Sequence, residues 1–140
     1  MPASYRIYPE ARFVHTRATG ALAGREMIAH ADALAADPAF SPDYVQLADF
    51  RETTAFLATS AEMRRLADHN PFDLTARRVG LVGTSVAYGM LRMYQMLSGI
   101  DDVQSLVTRS EAEAWAFVGV APDVVRRAAA SAWTSDATAR

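Results

Sequence analysis

The pattern of apolar and polar positions divides the first 36 residues into two strands and a helix. Residues 5–8 and 13–19 alternate between apolar and polar side chains, which is typical of strands with one buried face. Residues 9–12 fit a hairpin connection between them, and Gly20 is expected to end the second strand. Residues 24–36 carry an apolar stripe at helical spacing and predict a helix.

The rest of the chain predicts strands that alternate with helices. Strands are expected at residues 44–49, 78–82 and 103–108, and residues 49–51 are expected to lead into a loop. Helices are expected to begin after Thr59, after the turn 83–85, after Ser110 and at Pro122, the last of them ending near residue 133. Thr59 with Glu62, and Ser110 with Glu113, fit capping boxes, in which each side chain bonds a free amide of the other residue.

The predicted order is β-β-α-β-α-β-α-β-α with an additional C-terminal helix, which is an α/β fold. Such an order favours a five-stranded, mostly parallel sheet with right-handed crossovers, and the first hairpin makes the sheet mixed. We expect one α/β domain over residues 1–120 and a helical extension over residues 121–140 that is frayed at its end.

Polar residues at alternate positions of the second and third strands indicate that one sheet face is less covered than the other. A patch of Phe13, His15, Tyr44 and Gln46 on that face is a candidate homodimer surface.

Two features of the later part of the chain have alternative interpretations. Val86, Met90, Met93 and Leu97 form one apolar row on the longest helix, which is expected in the core. Tyr88, Arg92 and Met96 cannot all share that buried face, so one side of this helix is a candidate interface. The arginine doublets 64–65, 77–78 and 126–127 are expected to lie on solvated faces rather than in an anion-binding stripe, because acidic residues are interspersed between them.

Composition excludes several kinds of chemistry. The 140 residues include no cysteine, and all 14 basic residues are arginine. A thiolate nucleophile, a Schiff-base lysine and an ordinary P-loop are therefore excluded. Three scattered histidines predict no metal site, and no catalytic set, such as a Gly-x-Ser-x-Gly elbow, and no cofactor motif is present. The net charge of −2 argues against a nucleic-acid partner, and the short apolar runs predict a cytoplasmic protein with no membrane span.

Four short strings carry a resemblance to a known family: 37–40 (Asp-Pro-Ala-Phe), 49–51 (Asp-Phe-Arg), 89–94 (Gly-x-x-Arg-Met-Tyr) and 113–115 (Glu-Ala-Trp). Over about residues 5–118 the chain resembles the SpoIIAA-like proteins. These are related to the STAS domains of bacterial anti-sigma-factor antagonists and, by fold, to the Sec14 lipid-binding domains. The resemblance implies a SpoIIAA-like (STAS-like) fold and a non-catalytic regulatory or protein-interaction module.

The resemblance also implies a candidate switch. In the antagonists, a serine at the start of the helix after the third strand is phosphorylated to control partner binding. Thr59 and Ser60 occupy the two hydroxyl positions here, whereas Ala58 replaces the aspartate and Ala61 replaces the glycine of the usual run. The alternative interpretation is that Thr59 only caps the helix.

A second candidate site lies at the carboxyl ends of the predicted parallel strands, where open α/β sheets bind ligands. Asp49, Arg51, Thr84, Ser85 and Arg109 are expected at this rim. Arginines beside helix N-termini could hold a small anion, or the same residues could be a loop clamp and ordinary helix caps.

Three functional hypotheses follow. The first is a regulatory module that binds a protein partner or a second copy of the chain. The alternative is a binder of a small anionic or lipid-like ligand, which requires a cavity with convergent polar groups. The third hypothesis is an enzyme that uses the strand-end rim.

Overall fold

The alternating segments form one five-stranded sheet in a computed structural model that describes residues 3–127. The strands are β1 (Ala3–Tyr8), β2 (Phe13–Ala23), β3 (Val45–Leu57), β4 (Arg78–Leu81) and β5 (Ser105–Thr108). The helices are α1 (Gly24–Ala36), α2 (Ser60–Asp68), α3 (Ser85–Ser98), α4 (Glu111–Val118) and α5 (Pro122–Arg127). A 3-10 helix, Pro9–Ala11, joins β1 to β2.

The strands lie in the sheet in chain order, from β1 to β5. β1 pairs antiparallel with β2, and the other neighbouring strands pair in parallel. The predicted α/β class, the order of elements and the mixed, mostly parallel sheet are therefore confirmed. The predicted final helix begins at Pro122 as expected, and its predicted residues after 127 lie outside the described residues.

Helices α1, α2 and α3 lie on one face of the sheet, and α4 lies on the other. Right-handed crossovers between strands in sequential order place the connecting helices on the same face. Neighbouring residues of a strand point to opposite faces, so that Val14 packs with Leu34 of α1, whereas Phe13 packs with Ala114 and Val118 of α4. The space between the sheet and α1–α3 contains the candidate site.

Strands β2 and β3 are longer than the sequence pattern predicted. β3 continues through residues 49–51, where a loop was expected, and ends at Leu57; β2 continues past Gly20 to Ala23. The pairing shifts register twice, and Gly20 adopts a positive φ of 68° beside the second shift. A bulge of this kind interrupts the period-2 alternation while the strand continues, which is why the pattern alone was misleading.

Helix α3 is rotated relative to the predicted core row. Val86 is 66% exposed, whereas Ala87 and Gln95 are buried and Leu91 packs against the core. Gln95 Nε2 donates to Ser105 Oγ at 2.7 Å, and this buried hydrogen bond fixes the polar Gln95 towards the sheet. The expectation that Val86 belongs to the core is therefore wrong.

The candidate homodimer patch is not a surface. Phe13 and Tyr44 are buried, and Gln46 lies on the opposite face of the sheet from Phe13. The face expected to be open is covered because α4 places Trp115 against Phe13 and His15, with ring centroids 5.8 Å from each.

Candidate functional site

A cavity of about 90 Å³, partly open to solvent, lies between the sheet and helices α1, α2 and α3. Its apolar walls include Met27, Ala31, Phe50, Met63, Leu66 and Leu91. Its polar lining includes Thr16, His30, Gln46, Arg78, Tyr94 and Gln95. An apolar cavity with a few convergent polar groups is the usual composition of a small-molecule site.

Arg78 organises the polar end of the cavity. It is the first residue of β4, directly after Arg77 in the chain, and its side chain is half-buried. Nε donates to Gln46 Oε1 at 3.1 Å, and Nη1 donates to Asn70 Oδ1 at 3.0 Å and to Tyr94 Oη at 3.1 Å. The guanidinium carbon lies 4.5 Å from the centre of the Phe72 ring, which is cation–π geometry.

The polar end extends across the sheet to β2 and α1. Gln46 Nε2 donates to Thr16 Oγ1 at 2.9 Å, and Thr16 Oγ1 lies 3.4 Å from His30 Nε2. Burial and, to a lesser extent, the nearby charge of Arg78 lower the pKa of His30 from 6.5 to about 4. His30 is therefore neutral at pH 7.

A second buried polar pair lies between α3 and β5. Besides its hydrogen bond to Ser105, Gln95 accepts from Arg92 Nη1 at 2.8 Å. Arg92 also contacts Asp102 at 3.3 Å, so that its charge is compensated at the surface.

Close approach between backbone and side chains shapes the cavity walls. Gly80 has no side chain beneath Leu91, and a Cβ built there would lie 2.5 Å from Leu91 Cδ1. Gly24 has the same role beside Glu62, since its Cβ would lie 2.9 Å from Glu62 Cβ. Glu62 also lines the cavity, but its Oε1 accepts from the Thr59 amide at 2.9 Å.

The predicted rim residues are engaged with one another. Arg51 Nη2 donates to Asp49 Oδ2 at 2.8 Å, and Arg51 Nη1 donates to Glu111 Oε2 at 2.7 Å. Burial acts to raise the pKa of Asp49, but the hydrogen bonds and charge of Arg51 outweigh it and hold this pKa below its usual value. Arg51 thus has two carboxylate partners already, and its contact with Asp49 lies within β3 rather than in the expected loop.

The remaining rim residues lie at or contact the N-terminus of α3. Thr84 Oγ1 accepts from the Ala87 amide at 3.1 Å and caps the helix, while Arg109 Nη2 donates to Ser85 Oγ at 2.8 Å. The structure brings Arg109 to Ser85 and Arg51 to Asp49, but it gives no hydrogen bond that joins the two pairs.

The candidate switch residues lie at the start of α2. Thr59 Oγ1 accepts from the Glu62 amide at 3.1 Å, which with the reciprocal bond completes the predicted capping box. Ser60 is exposed in the first turn. A phosphate on Thr59 would meet favourable helix amides but also the Glu62 carboxylate, which repels it.

Sequence reasoning missed the central residue of the cavity. Arg78 was expected on a solvated face as part of a doublet, whereas Arg77 is exposed and Arg78 is half-buried. The available signal was the alternation in β4, which places Arg78 and Gly80 on the same sheet face, opposite Val79 and Leu81.

Comparison with protein-family models, with curated proteins and with solved structures finds no match for this chain. Within residues 3–127, no group of three or more histidine, aspartate or glutamate side chains could hold a metal ion. Over the same residues, no helix is long and apolar enough to cross a membrane.

Proposed function

We propose that the protein is a small-molecule binding domain that takes a short, largely apolar ligand into the cavity between the sheet and α1–α3. The cavity itself is the observation that carries the proposal, because a fully packed interface between these layers would leave no space for a ligand. The hydrogen-bonded side chains around Arg78 line the cavity at one end, and apolar side chains form the other walls. This arrangement supports the ligand-binding hypothesis over a rim site.

The volume limits the size of the ligand. A cavity of about 90 Å³ is smaller than the roughly 150 Å³ of an engineered apolar cavity that binds benzene. A ligand of about four to six non-hydrogen atoms is therefore expected, with one end towards the opening. The best small ligands gain about 1.5 kcal/mol per non-hydrogen atom, so six atoms give about 9 kcal/mol at most, which is a dissociation constant of a few tenths of a micromolar.

The test is a panel of acids, amides and alcohols with three to six carbon atoms, titrated by ligand-observed NMR. Each added methylene is expected to tighten binding about fourfold until the cavity is full. The variant Ala31→Leu places three further carbon atoms in the cavity wall and is expected to weaken binding strongly. Ala35→Leu, on the exposed side of the same helix, is the matched control and is expected to bind like wild type.

The proposal fails if no member of the panel binds to the wild-type protein. It also fails if Ala31→Leu, shown to be folded by circular dichroism, binds the panel as tightly as Ala35→Leu does.

A second candidate function is a protein contact through the outer face of α3. Val86, Tyr88 and Met96 are 66%, 42% and 73% exposed, which is unusual for large apolar side chains on one helix. This observation favours the interaction module that the resemblance to SpoIIAA-like proteins implies. Light scattering on wild type and on Met96→Glu tests for self-association: a dimer that the substitution dissociates supports it, and a monomer at all concentrations rejects that form of contact.

The regulatory version of this candidate requires phosphorylation at Thr59 or Ser60. Mass spectrometry of the protein purified from its native cell tests it. Phosphate on Ser60, which is exposed, would support a switch at the start of α2, and absence of phosphate under all growth conditions would reject it.

A further inference from the structure

Arg78 carries a positive charge that no side chain in residues 3–127 neutralises. No carboxylate oxygen of these residues lies within 4.0 Å of its guanidinium nitrogens, and its hydrogen-bond partners are a glutamine, an asparagine and a tyrosine. These bonds use Nε and Nη1, so that Nη2 donates to none of the described residues.

Neutral acceptors position the guanidinium without cancelling its charge. A carboxylate partner in their place would compete with an incoming anion, whereas the amide and phenol oxygens leave the charge available. Holding a half-buried cation without a counter-ion costs stability. A ligand that supplies the counter-ion would remove this cost.

The charges of the other residues that line the cavity indicate the net charge of the ligand. Among the cavity-lining residues that the structure describes, Glu62 is the one carboxylate, and it is bonded to the amide of Thr59. His30 is neutral at pH 7 because burial and Arg78 lower its pKa to about 4. A dianion such as a phosphate monoester would leave uncompensated negative charge in a small apolar space, whereas a single carboxylate balances Arg78.

We propose that the ligand is a short-chain monocarboxylate whose carboxylate binds Nη2 of Arg78. Its hydrocarbon chain lies in the part of the cavity lined by Met63, Leu66 and Leu91. This inference rests on the proposed function and adds to it the chemical class of the ligand.

The test compares butanoate with butanamide, which have the same chain and the same number of non-hydrogen atoms. Titration of the wild-type protein at pH 7 is expected to give butanoate a dissociation constant at least about tenfold lower, because a charge-assisted hydrogen bond replaces a neutral one. Arg78→Met is expected to abolish this preference. Arg77→Met removes the same charge from the neighbouring exposed position and is expected to retain it.

Three other outcomes would overturn the carboxylate inference, the proposed function or the choice of a monoanion. Equal binding of butanoate and butanamide to wild type overturns the carboxylate inference and leaves the proposed function standing. Absence of binding by both compounds overturns the carboxylate inference, and absence of binding by every member of the panel overturns the proposed function as well. Displacement of butanoate by inorganic phosphate at lower concentration overturns the choice of a monoanion.

The comparison of the two ligands on wild type does not depend on any variant. Should Arg78→Met fail to fold, Arg78→Lys retains a positive charge without the planar group that Gln46, Asn70 and Tyr94 hold. It is expected to keep a reduced preference for butanoate, and a preference equal to that of wild type would overturn the assignment of the carboxylate to Nη2 of the guanidinium.

Discussion

One methyl group at Gly80 is expected to reduce the volume of the cavity without unfolding the protein. A Cβ at this position would lie 2.5 Å from Leu91 Cδ1, whereas carbon atoms in contact are about 3.5–4.0 Å apart. The end of the Leu91 side chain must therefore move by about 1 Å or more in Gly80→Ala. Both residues line the cavity, which gives the side chain space into which it can move.

Two opposing contributions to the free energy of unfolding of Gly80→Ala nearly cancel. Moving Leu91 off its preferred rotamer costs about 0.5–1.5 kcal/mol. Replacing a glycine in the interior of a strand by alanine stabilises the fold by about 0.5–1 kcal/mol, because glycine loses more conformational freedom on folding. The free energy of unfolding is expected to stay within about 1 kcal/mol of wild type. In a fully packed core, the same overpacking would cost about 1–3 kcal/mol.

Urea denaturation followed by circular dichroism measures this difference, and the same protein is titrated with butanoate. Weaker binding is expected because Leu91 then occupies part of the ligand volume. Gly89→Ala is the control for the glycine effect alone: a Cβ there meets no atom within 4 Å, and stabilisation of about 1 kcal/mol is expected in the helix. A loss above about 2 kcal/mol in Gly80→Ala would refute the reasoning, since it would show that Leu91 has no cavity to enter.

Three further predictions concern the rest of the fold. Burial lowers the pKa of His15 and of His30 from 6.5 to about 4, so the unfolded chain takes up protons first as the pH falls. Stability is expected to drop between pH 6.5 and pH 4, by about 2 kcal/mol per histidine at pH 5, and unchanged urea midpoints from pH 7 to pH 5 would contradict this. Thr59→Ala is expected to cost about 1 kcal/mol through loss of the α2 cap, against less than about 0.5 kcal/mol for the exposed Ser60→Ala, and equal thermal shifts would contradict the capping role. Arg51→Ala is expected to cost less than about 1 kcal/mol in urea denaturation, because its ion pair with Glu111 is exposed and its ion pair with Asp49 is partly exposed to solvent, and a loss of about 3 kcal/mol would contradict that view.

Much of the architecture was predictable because it depends on local patterns. Alternation gave β1 and the start of β2, and the capping residues Thr59 and Ser110 marked the starts of α2 and α4 correctly. The length of β3 was not predictable in the same way, since two register shifts against β2 break the alternation that identifies a strand.

The candidate site was less predictable, because it depends on side chains that are distant in the chain. Gln46, Asn70 and Tyr94 meet at Arg78 only after β3, β4 and α3 have packed. A doublet of arginines ordinarily indicates a solvated face, and nothing local distinguishes Arg78 from Arg77 except its position in β4. Thr84, Ser85 and Arg109 follow the ends of β4 and β5, whereas Asp49 and Arg51 lie inside β3, where Arg51 forms an ion pair with Asp49.

The most direct test of the central claim is an intermolecular nuclear Overhauser measurement on butanoate bound to methyl-labelled protein. The account predicts contacts between the ligand methyl group and the methyl groups of Met63 and Leu91, which line the cavity. Contacts to neither of these methyl groups at saturating butanoate, or contacts only to side chains of α4 on the opposite sheet face, would contradict it.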